Sequence, residues 1–290
     1  MKLSILPSLL RIEQYIKNIF VLAPLFFSKE FVKLDQVFYS MAAVLIFSIT
    51  ASSIYIFNDI RDVEEDRKHP TKQFRPIASN KISVKNAVIV MSILMFTGLL
   101  SSYLISLNFF LILITYLILN VFYSFGLKHI SIVDIVIVSI GFVLRVFAGA
   151  VVINVVVTSW IILITFMLSL FLAFAKRRDD ILLANEGNKT RKNIHGYSLT
   201  FVDSSMVLMA GVVIVSYILY TVSPEIEARY NSQYIYLTVL FVILGILRYM
   251  QITYIENKSG NPTEMAFKDR FLQITILCWL ASFGLILYVF

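Results

Sequence analysis

Long runs without a charged residue dominate this sequence. The longest runs are residues 36–58, 86–127, 146–175, 204–224 and 271–290. A helix needs about 20 mostly apolar residues to cross the hydrocarbon core of a bilayer. Only 15% of the residues are charged and 59% are hydrophobic, whereas about a quarter of the residues are charged in soluble globular domains. The chain is therefore predicted to be a polytopic membrane protein and not a soluble one.

The runs predict an all-α membrane bundle of nine transmembrane helices, forming a single domain over residues 1–290. The run 86–127 is long enough for two helices, and the segment before Arg248 continues past that residue. The predicted spans are residues 12–28, 38–57, 85–107, 109–124, 131–153, 158–177, 200–222, 232–254 and 271–290. The first span is the weakest because it contains Lys17.

The positions of the basic residues orient these spans. Only Lys29, Lys33 and Arg229 fall in the predicted outer loops, while most of the 25 basic residues fall on the opposite side. Lysine and arginine collect in cytoplasmic loops, so the N-terminus is predicted to be cytoplasmic and the C-terminus outside. The net charge of +7 thus reflects topology. Because no basic soluble face is present, a nucleic-acid partner is not expected.

An acidic motif follows the second predicted span. On a helix that turns about 100° per residue, Asp59, Asp62 and Asp66 share one face. Three carboxylates placed together repel one another unless a cation joins them. Oxygen ligands without histidine or cysteine suit Mg²⁺, which commonly also binds substrate phosphates. The alternative is an acidic helix end solvated among neighbouring basic residues. The position at a membrane helix end favours a magnesium–diphosphate site with these aspartates as catalytic residues.

The stretch 58–76 carries a resemblance to a known family. Its NDxxDxxxD motif and the following HPxKxxRP resemble the first motif of the UbiA-type intramembrane prenyltransferase superfamily. The resemblance implies nine helices around a central cavity and Mg²⁺ held on the diphosphate of a donor substrate. It also implies that Arg75 binds the diphosphate. The metal ligands that it implies are Asn58, Asp59, Asp62 and Asp66.

The second half of the chain departs from the prenyl-transferring members of that superfamily. Those members usually carry a second aspartate motif, DxxxD, near the sixth helix, whereas this chain has FAKRRDD over residues 174–180. Asp179 and Asp180 are adjacent and point about 100° apart, so they cannot form an i, i+4 clamp. Three consecutive cations instead favour phosphate binding. The alternative is a basic cluster that only sets membrane topology.

YSFGLK (123–128) with the following Asp134 resembles the YSxxLK…D loop of the same superfamily. QYIKN (14–18), GFVLRVFAG (141–149) and KRxxD (176–180) resemble, more narrowly, one branch of the superfamily, whose members transfer phosphoribose. This resemblance implies Mg²⁺-dependent transfer of 5-phosphoribose from phosphoribosyl diphosphate to a polyprenyl phosphate. The setting that it implies is the bacterial inner membrane, in cell-envelope lipid-linked sugar synthesis. The substrate-binding residues that the motifs imply are Lys17, Asn58, Arg75, Tyr123, Lys128, Asp134, Arg145, Lys176, Arg177 and Asp180.

For two cations within predicted spans, the sequence allows more than one role. Arginine in mid-helix is costly in lipid and normally faces the protein interior or a water-filled cavity. Arg145 shares a helix stripe with Asp134 but lies about 16 Å from it along the axis, so it is expected to meet an anion elsewhere, either substrate or carboxylate. The alternative is a structural arginine that pairs with another helix. Lys17 either reaches a substrate phosphate or snorkels to the cytoplasmic surface.

Two other functions remain as alternatives. A prenyltransferase of the same fold would move a prenyl group from its diphosphate to an aromatic or other acceptor, and the missing DxxxD motif argues against it. A transporter or channel would carry intramembrane charges along an ion path. Here the charges concentrate at predicted cytoplasmic helix ends, which argues against transport.

Overall fold

The structure of the protein is a computed structural model that describes residues 5–185, 196–256 and 262–288. Over these ranges the chain forms α-helices and short 3₁₀ segments, with no β-strand. The α-helices are α1 (Leu6–Leu10), α2 (Ala23–Phe27), α3 (Leu34–Arg61), α4 (Val63–Asp66), α5 (Val84–Ile105), α6 (Leu107–Phe125), α7 (Val133–Val152), α8 (Ser159–Asn185), α9 (Leu199–Thr221), α10 (Pro224–Tyr230), α11 (Val239–Tyr254), α12 (Pro262–Lys268) and α13 (Arg270–Tyr288).

Eight helical segments in the described ranges are long and apolar enough to cross a membrane. Seven of them are α3, α5, α6, α7, α8, α9 and α13, and the eighth is Ile235–Tyr254, in which a 3₁₀ turn leads into α11. They correspond to all the predicted spans except the first. The prediction of an all-α, multi-pass membrane protein is confirmed.

The first predicted span, 12–28, is not a continuous α-helix. Helix α1 ends before Arg11, whose φ of 52° is left-handed, and Ile12–Leu22 is a 3₁₀ segment. Pro24 then lies in the first turn of α2, where its missing N–H breaks no helical hydrogen bond. A continuous helix through residue 24 would lose that bond and clash with the preceding turn. Over the described residues, the nine predicted helices therefore correspond to eight long helical spans and one segment of short helical pieces.

Helix α8 is longer than the predicted span 158–177. It continues through Asp179 and Asp180 to Asn185, because no proline or glycine interrupts the sequence before Gly187. Hydropathy predicted only residues 158–177, because the charged residues that follow lower the mean hydropathy of the rest of the helix. The predicted span 271–290 agrees with α13 as far as Tyr288, and its last two residues lie outside the described residues.

The chain divides into two compact units. The first comprises Met1–Lys128 and Gly141–Val157. In it, α3 packs against α5, α6 and the 3₁₀ segment Ile12–Leu22. Small buried residues of α3, including Ala43, Ser48 and Ala51, allow such close approach of helix backbones. Phe47 packs on Tyr116 with ring centroids 4.8 Å apart, at the centre of this unit's apolar core.

The second unit comprises His129–Ile140 and Thr158–Phe290. Its main helix pair is α8 against α9, and α11 packs on α9 and α13. The core includes Phe171 and Tyr249, whose ring centroids are 5.3 Å apart. Helix α7 contributes its first turns to this unit and its remaining turns to the first unit.

Close packing at Gly149 supports a stability prediction. A Cβ added to Gly149 would overlap the backbone carbonyl of Val21, an atom that cannot move aside as a side-chain end can. We expect Gly149→Ala to lower the free energy of unfolding by about 1–3 kcal/mol. Thermal unfolding in detergent measures this effect.

Gly211→Ala is the matched control for Gly149→Ala. Gly211 lies inside α9, and a Cβ added there meets no atom within 4 Å. Alanine is favoured over glycine in a helix by roughly 0.5–1 kcal/mol, so this variant should be as stable as the wild type or slightly more stable. Equal stability of the two variants would contradict the packing at Gly149.

Candidate active site

The acidic motif lies where α3 gives way to α4. Helix α3 ends at Arg61, and Asp62 adopts φ −97° and ψ 9° before α4 begins at Val63. The N–H of Asp62 still donates to the carbonyl of Asn58 at 2.9 Å. The expectation that three aspartates share the face of one continuous helix is thus wrong at Asp62. Helix α4 follows Asp62 as a separate short helix, in which the N–H of Asp66 donates to the carbonyl of Asp62 at 2.8 Å.

Arg75 holds two of the motif carboxylates together. Its Nη1 lies 3.1 Å from Asp59 Oδ1 and 2.6 Å from Asp66 Oδ2. Both aspartates are buried, each with 3% of its surface exposed. A buried carboxylate needs a cation or hydrogen-bond donors to offset its lost hydration. Arg75, which ends the 3₁₀ turn Lys72–Phe74, provides them for both.

The end of α6 and the 3₁₀ turn Leu127–His129 after it supply partners for the other two motif residues. Lys128 Nζ lies 2.6 Å and 2.9 Å from the two carboxylate oxygens of Asp62. Ser124, in the last turn of α6, donates from Oγ to Asn58 Oδ1. Lys128 is one of the substrate-binding residues inferred from the sequence. Ser124 is not, although it lies in the same YSFGLK stretch.

Arg11 is a motif partner that the sequence analysis missed. Its Nη2 donates to Asp59 Oδ1, the same oxygen that Arg75 contacts. The guanidinium also stacks over the ring of Tyr55, 5.2 Å from the ring centroid. Arg11 and Asp59 are 48 residues apart, so no local spacing could have indicated the pair. The three motif carboxylates are thus matched by three cations within the first unit.

The chemistry of the motif residues fits a magnesium ion. Asp59 and Asp66 are hard oxygen donors that already share one cation, the Arg75 guanidinium. Asp59 Oδ2 and Asp66 Oδ1 accept no hydrogen bond from the described residues, so each carboxylate keeps an oxygen for a metal. Within the described ranges, however, three acidic, histidine or cysteine side chains do not converge on one point. Asp62 is held separately by Lys128.

The second unit contains a buried cluster around Arg177. Its Nε lies 2.7 Å from Asp134 Oδ2, and its Nη1 lies 2.5 Å from Asp180 Oδ2. The hydroxyl of Tyr197 donates to Asp134 Oδ1 at 2.6 Å and accepts from the N–H of Ile132 at 2.6 Å. Burial and the bond to Asp134 raise the pKa of Tyr197, so the phenol remains a donor. The structure brings three predicted residues together here and adds Tyr197.

The three consecutive cations of α8 have different surroundings. Arg178 Nε lies 2.9 Å from Asp203 Oδ1, and its Nη1 donates to the carbonyl of Thr253 at 2.9 Å. It therefore ties α8 to α9 and α11. Arg177 is buried among carboxylates, whereas Lys176 is exposed. The cluster is thus more than a topology signal, because two of its three cations are buried and make specific ion pairs.

Arg145 is buried in the first unit among neutral partners. Nε donates to Asn18 Oδ1 at 2.8 Å, Nη1 to the Gly141 carbonyl at 2.7 Å, and Nη2 to the Tyr116 hydroxyl at 3.4 Å. No carboxylate of the described chain pairs with it, which matches the alternative of a structural arginine. Its role in substrate binding stays a prediction. The guanidinium lies 4.9–5.3 Å from the ring centroids of Phe47, Tyr116 and Phe142.

Two other predicted residues lie in the first unit. Lys17 is half-buried on the 3₁₀ segment Ile12–Leu22. Tyr123 is half-buried in the last turn of α6, next to Ser124. Their predicted contacts with substrate stay predictions.

Two curated relatives match nearly the whole chain. The decaprenyl-phosphate phosphoribosyltransferase of Mycolicibacterium smegmatis is 35% identical over 290 residues, which cover 96% of this chain and 91% of that protein. The protein of the same name from Corynebacterium glutamicum is 33% identical over 285 residues, covering 97% of this chain and 86% of that protein.

Solved structures and a family profile agree with this similarity. A UbiA homolog from Archaeoglobus fulgidus bound to GPP and Mg²⁺ superimposes with a TM-score of 0.71 and 17% identity, covering 98% of this chain and 99% of that one. This likeness shows the fold. The profile of the UbiA prenyltransferase family matches residues 19–275. With the acidic motif at the end of α3, a family profile that matches most of the chain and relatives similar over most of their length, the chain belongs to the UbiA prenyltransferase family.

Proposed function

We propose that this protein transfers 5-phosphoribose from phosphoribosyl diphosphate to a polyprenyl phosphate and releases diphosphate. The observation that carries the proposal is the similarity, over 96% of the chain, to a decaprenyl-phosphate phosphoribosyltransferase. The similarity covers both the acidic motif and the Arg177 cluster. We assign the phosphoribosyl donor to the acidic motif of the first unit and the lipid phosphate to the Arg177 cluster of the second.

The acidic motif is the proposed donor site. Asp59, Asp62 and Asp66, with Asn58, would hold Mg²⁺. The bound ion would neutralise negative charge on the diphosphate leaving group. The carboxylates also keep the neighbouring cations in place before substrate arrives.

Arg75 and Lys128 are the proposed diphosphate-binding cations. Arg75 uses only Nη1 for its two carboxylates, so Nε and Nη2 remain as donors for phosphate oxygens. Its side chain is 29% exposed and that of Lys128 is 17% exposed, so both reach solvent from partly buried positions. A partly desolvated cation binds phosphate more strongly than a fully hydrated one.

The transfer needs no strong base. The bond between the anomeric carbon and the diphosphate oxygen breaks, and an oxygen of the lipid phosphate bonds to that carbon. This attacking oxygen is already anionic, so the protein need only position it and balance its charge. We assign that task to Lys176 and Arg177. Asp134 and Asp180 fix the orientation of the Arg177 guanidinium.

Prenyl transfer is the alternative activity on the same fold. Prenyl-transferring members usually carry a DxxxD motif near the sixth helix, whereas this chain has the Arg177 cluster at the end of α8. An arginine bound between two carboxylates differs in charge and shape from an acidic metal clamp. The cluster therefore supports phosphoribosyl transfer over prenyl transfer.

The proposed orientation places the acidic motif on the cytoplasmic face of the bacterial inner membrane. The loop 62–83 and the C-terminal end of α8 carry many of the chain's lysines and arginines, which favours the cytoplasmic side for both. With α3 ending there, the later spans alternate and the C-terminus lies outside. The N-terminus is cytoplasmic if residues 6–27 also cross the membrane.

A transfer assay tests the proposed function. Purified protein in detergent is incubated with Mg²⁺, a polyprenyl phosphate and phosphoribosyl diphosphate labelled in the ribose. We expect label in the organic phase, and we expect its loss when EDTA removes the metal. A folded protein that moves no label to several polyprenyl phosphates, yet transfers a prenyl group from its diphosphate, would contradict the proposal.

A further inference from the structure

Arg11 has unused hydrogen-bond donors. Only its Nη2 has an acceptor among the described residues, Asp59 Oδ1, which leaves Nε and Nη1 without one. The side chain is 20% exposed. Arg145 differs, because its three guanidinium nitrogens all donate to neutral acceptors and only 4% of the residue is exposed. Arg11 therefore resembles an anion-binding residue more closely than Arg145 does.

The backbone around Arg11 fixes the position of its guanidinium. Arg11 has φ 52° and ψ 52°, and its N–H donates to the carbonyl of Pro7. Ser52 of α3 donates to the carbonyl of Leu10 at 2.8 Å, which attaches this turn to the helix that carries Asp59. The ring of Tyr55 lies under the guanidinium. An arginine held in this way loses little conformational entropy when it binds an anion.

The charge of the proposed donor requires more cations than a prenyl diphosphate does. Phosphoribosyl diphosphate carries a 5-phosphate at the opposite end of the ribose from its diphosphate. Arg75 bridges two motif carboxylates and Lys128 binds the third. Arg11 contacts only one of them, Asp59. Arg11 and Arg75 each keep Nε and one Nη nitrogen without an acceptor among the described residues, but only Arg11 is bound to a single carboxylate.

We propose that Arg11 binds the 5-phosphate of the phosphoribosyl donor and so contributes to donor specificity. Its free N–H groups would donate to two phosphate oxygens, a pairing that the planar guanidinium favours, while Asp59 retains the bond to Nη2. This inference rests on the proposed function, because a prenyl diphosphate has no such phosphate.

Two fragments of the donor separate the two ends of the site. Binding of ribose 5-phosphate and of inorganic pyrophosphate is measured by calorimetry on purified wild-type protein and on Arg11→Gln. We expect Arg11→Gln to weaken binding of ribose 5-phosphate about 10- to 100-fold, the range for loss of charge-assisted hydrogen bonds. The dissociation constant of pyrophosphate should change less than about threefold, because Arg11 is not proposed to contact this fragment. Arg11→Lys should recover part of the loss.

Two further measurements show whether Arg11→Gln acts only by disturbing the local structure. Arg67→Gln is the matched control, because Arg67 is exposed and pairs with Glu64 and Asn80 without touching the motif aspartates. It should bind both fragments as the wild type does. Mg²⁺ binding to Arg11→Gln, measured without substrate, should be as tight as in the wild type or tighter, because a competing cation has left Asp59.

The outcomes distinguish this inference from the proposed function. Unchanged binding of ribose 5-phosphate to Arg11→Gln, or an equal loss for both fragments, would overturn the role of Arg11 alone. If the wild-type protein itself binds pyrophosphate but not ribose 5-phosphate, the proposed phosphoribosyl donor is overturned as well. Weakened Mg²⁺ binding in Arg11→Gln would show that the variant disturbs the motif, and would also overturn the assignment.

Discussion

Asp62→Asn is expected to reduce phosphoribosyl transfer by about a thousandfold or more, the scale seen when a group that stabilises the transition state is removed. The substitution preserves the shape of the side chain but removes its charge. It therefore removes a proposed metal ligand and releases Lys128, whose Nζ lies 2.6 Å from Asp62 Oδ1. Initial rates of label transfer at saturating substrate measure the loss.

Glu64→Gln is the matched control for Asp62→Asn. It removes one negative charge from the same stretch, at a side chain that is 73% exposed and pairs only with Arg67 among the described residues. We expect its transfer rate to remain near that of the wild type, and both variants to express and unfold as the wild type does. Wild-type activity in Asp62→Asn would remove Asp62 from the catalytic residues.

Arg177→Met is expected to cost about 3–5 kcal/mol of folding stability, because removing one partner of a buried ion pair leaves the other charge uncompensated. Asp134 is fully buried and Arg177 is 3% exposed, so water cannot replace the lost partner. Reversible denaturation in detergent, followed by tryptophan fluorescence or circular dichroism, measures the difference.

Two further variants define the origin of that loss. Lys176→Met also replaces a cation by methionine, one position earlier in α8 and at an exposed side chain. It should change the free energy of unfolding by less than about 0.5 kcal/mol. Adding Asp134→Asn to Arg177→Met should recover part of the loss, because the uncompensated charge is then gone. An Arg177→Met protein as stable as Lys176→Met would contradict the buried ion pair.

Hydropathy predicted most of the membrane bundle because length and apolar character alone decide whether a segment can span a bilayer. The segment 6–27 differs because polar contacts determine its path. Tyr15 bonds to Ser52 at 2.9 Å, and Asn18 donates to Ser48 at 2.8 Å. These contacts join residues that are distant in sequence, so hydropathy cannot show them.

The residues of the candidate site were predictable where they belong to a short sequence motif. The acidic motif predicted Asp59 and Asp66 as site residues. Their shared partner, Arg75, is nine residues beyond Asp66. Arg11 and Tyr197 were missed because their partners are 48 and 63 residues away. For both residues, the local sequence gives no sign of the buried carboxylate that each one contacts.

Mass spectrometry of the lipid product shows which group the protein transfers. The purified protein receives Mg²⁺ and a polyprenyl phosphate, together with equal concentrations of phosphoribosyl diphosphate and a prenyl diphosphate. We expect a polyprenyl phosphate whose mass has increased by one phosphoribosyl group, with diphosphate released in equal amount. A product that carries a prenyl group, with phosphoribosyl diphosphate left intact, would contradict it.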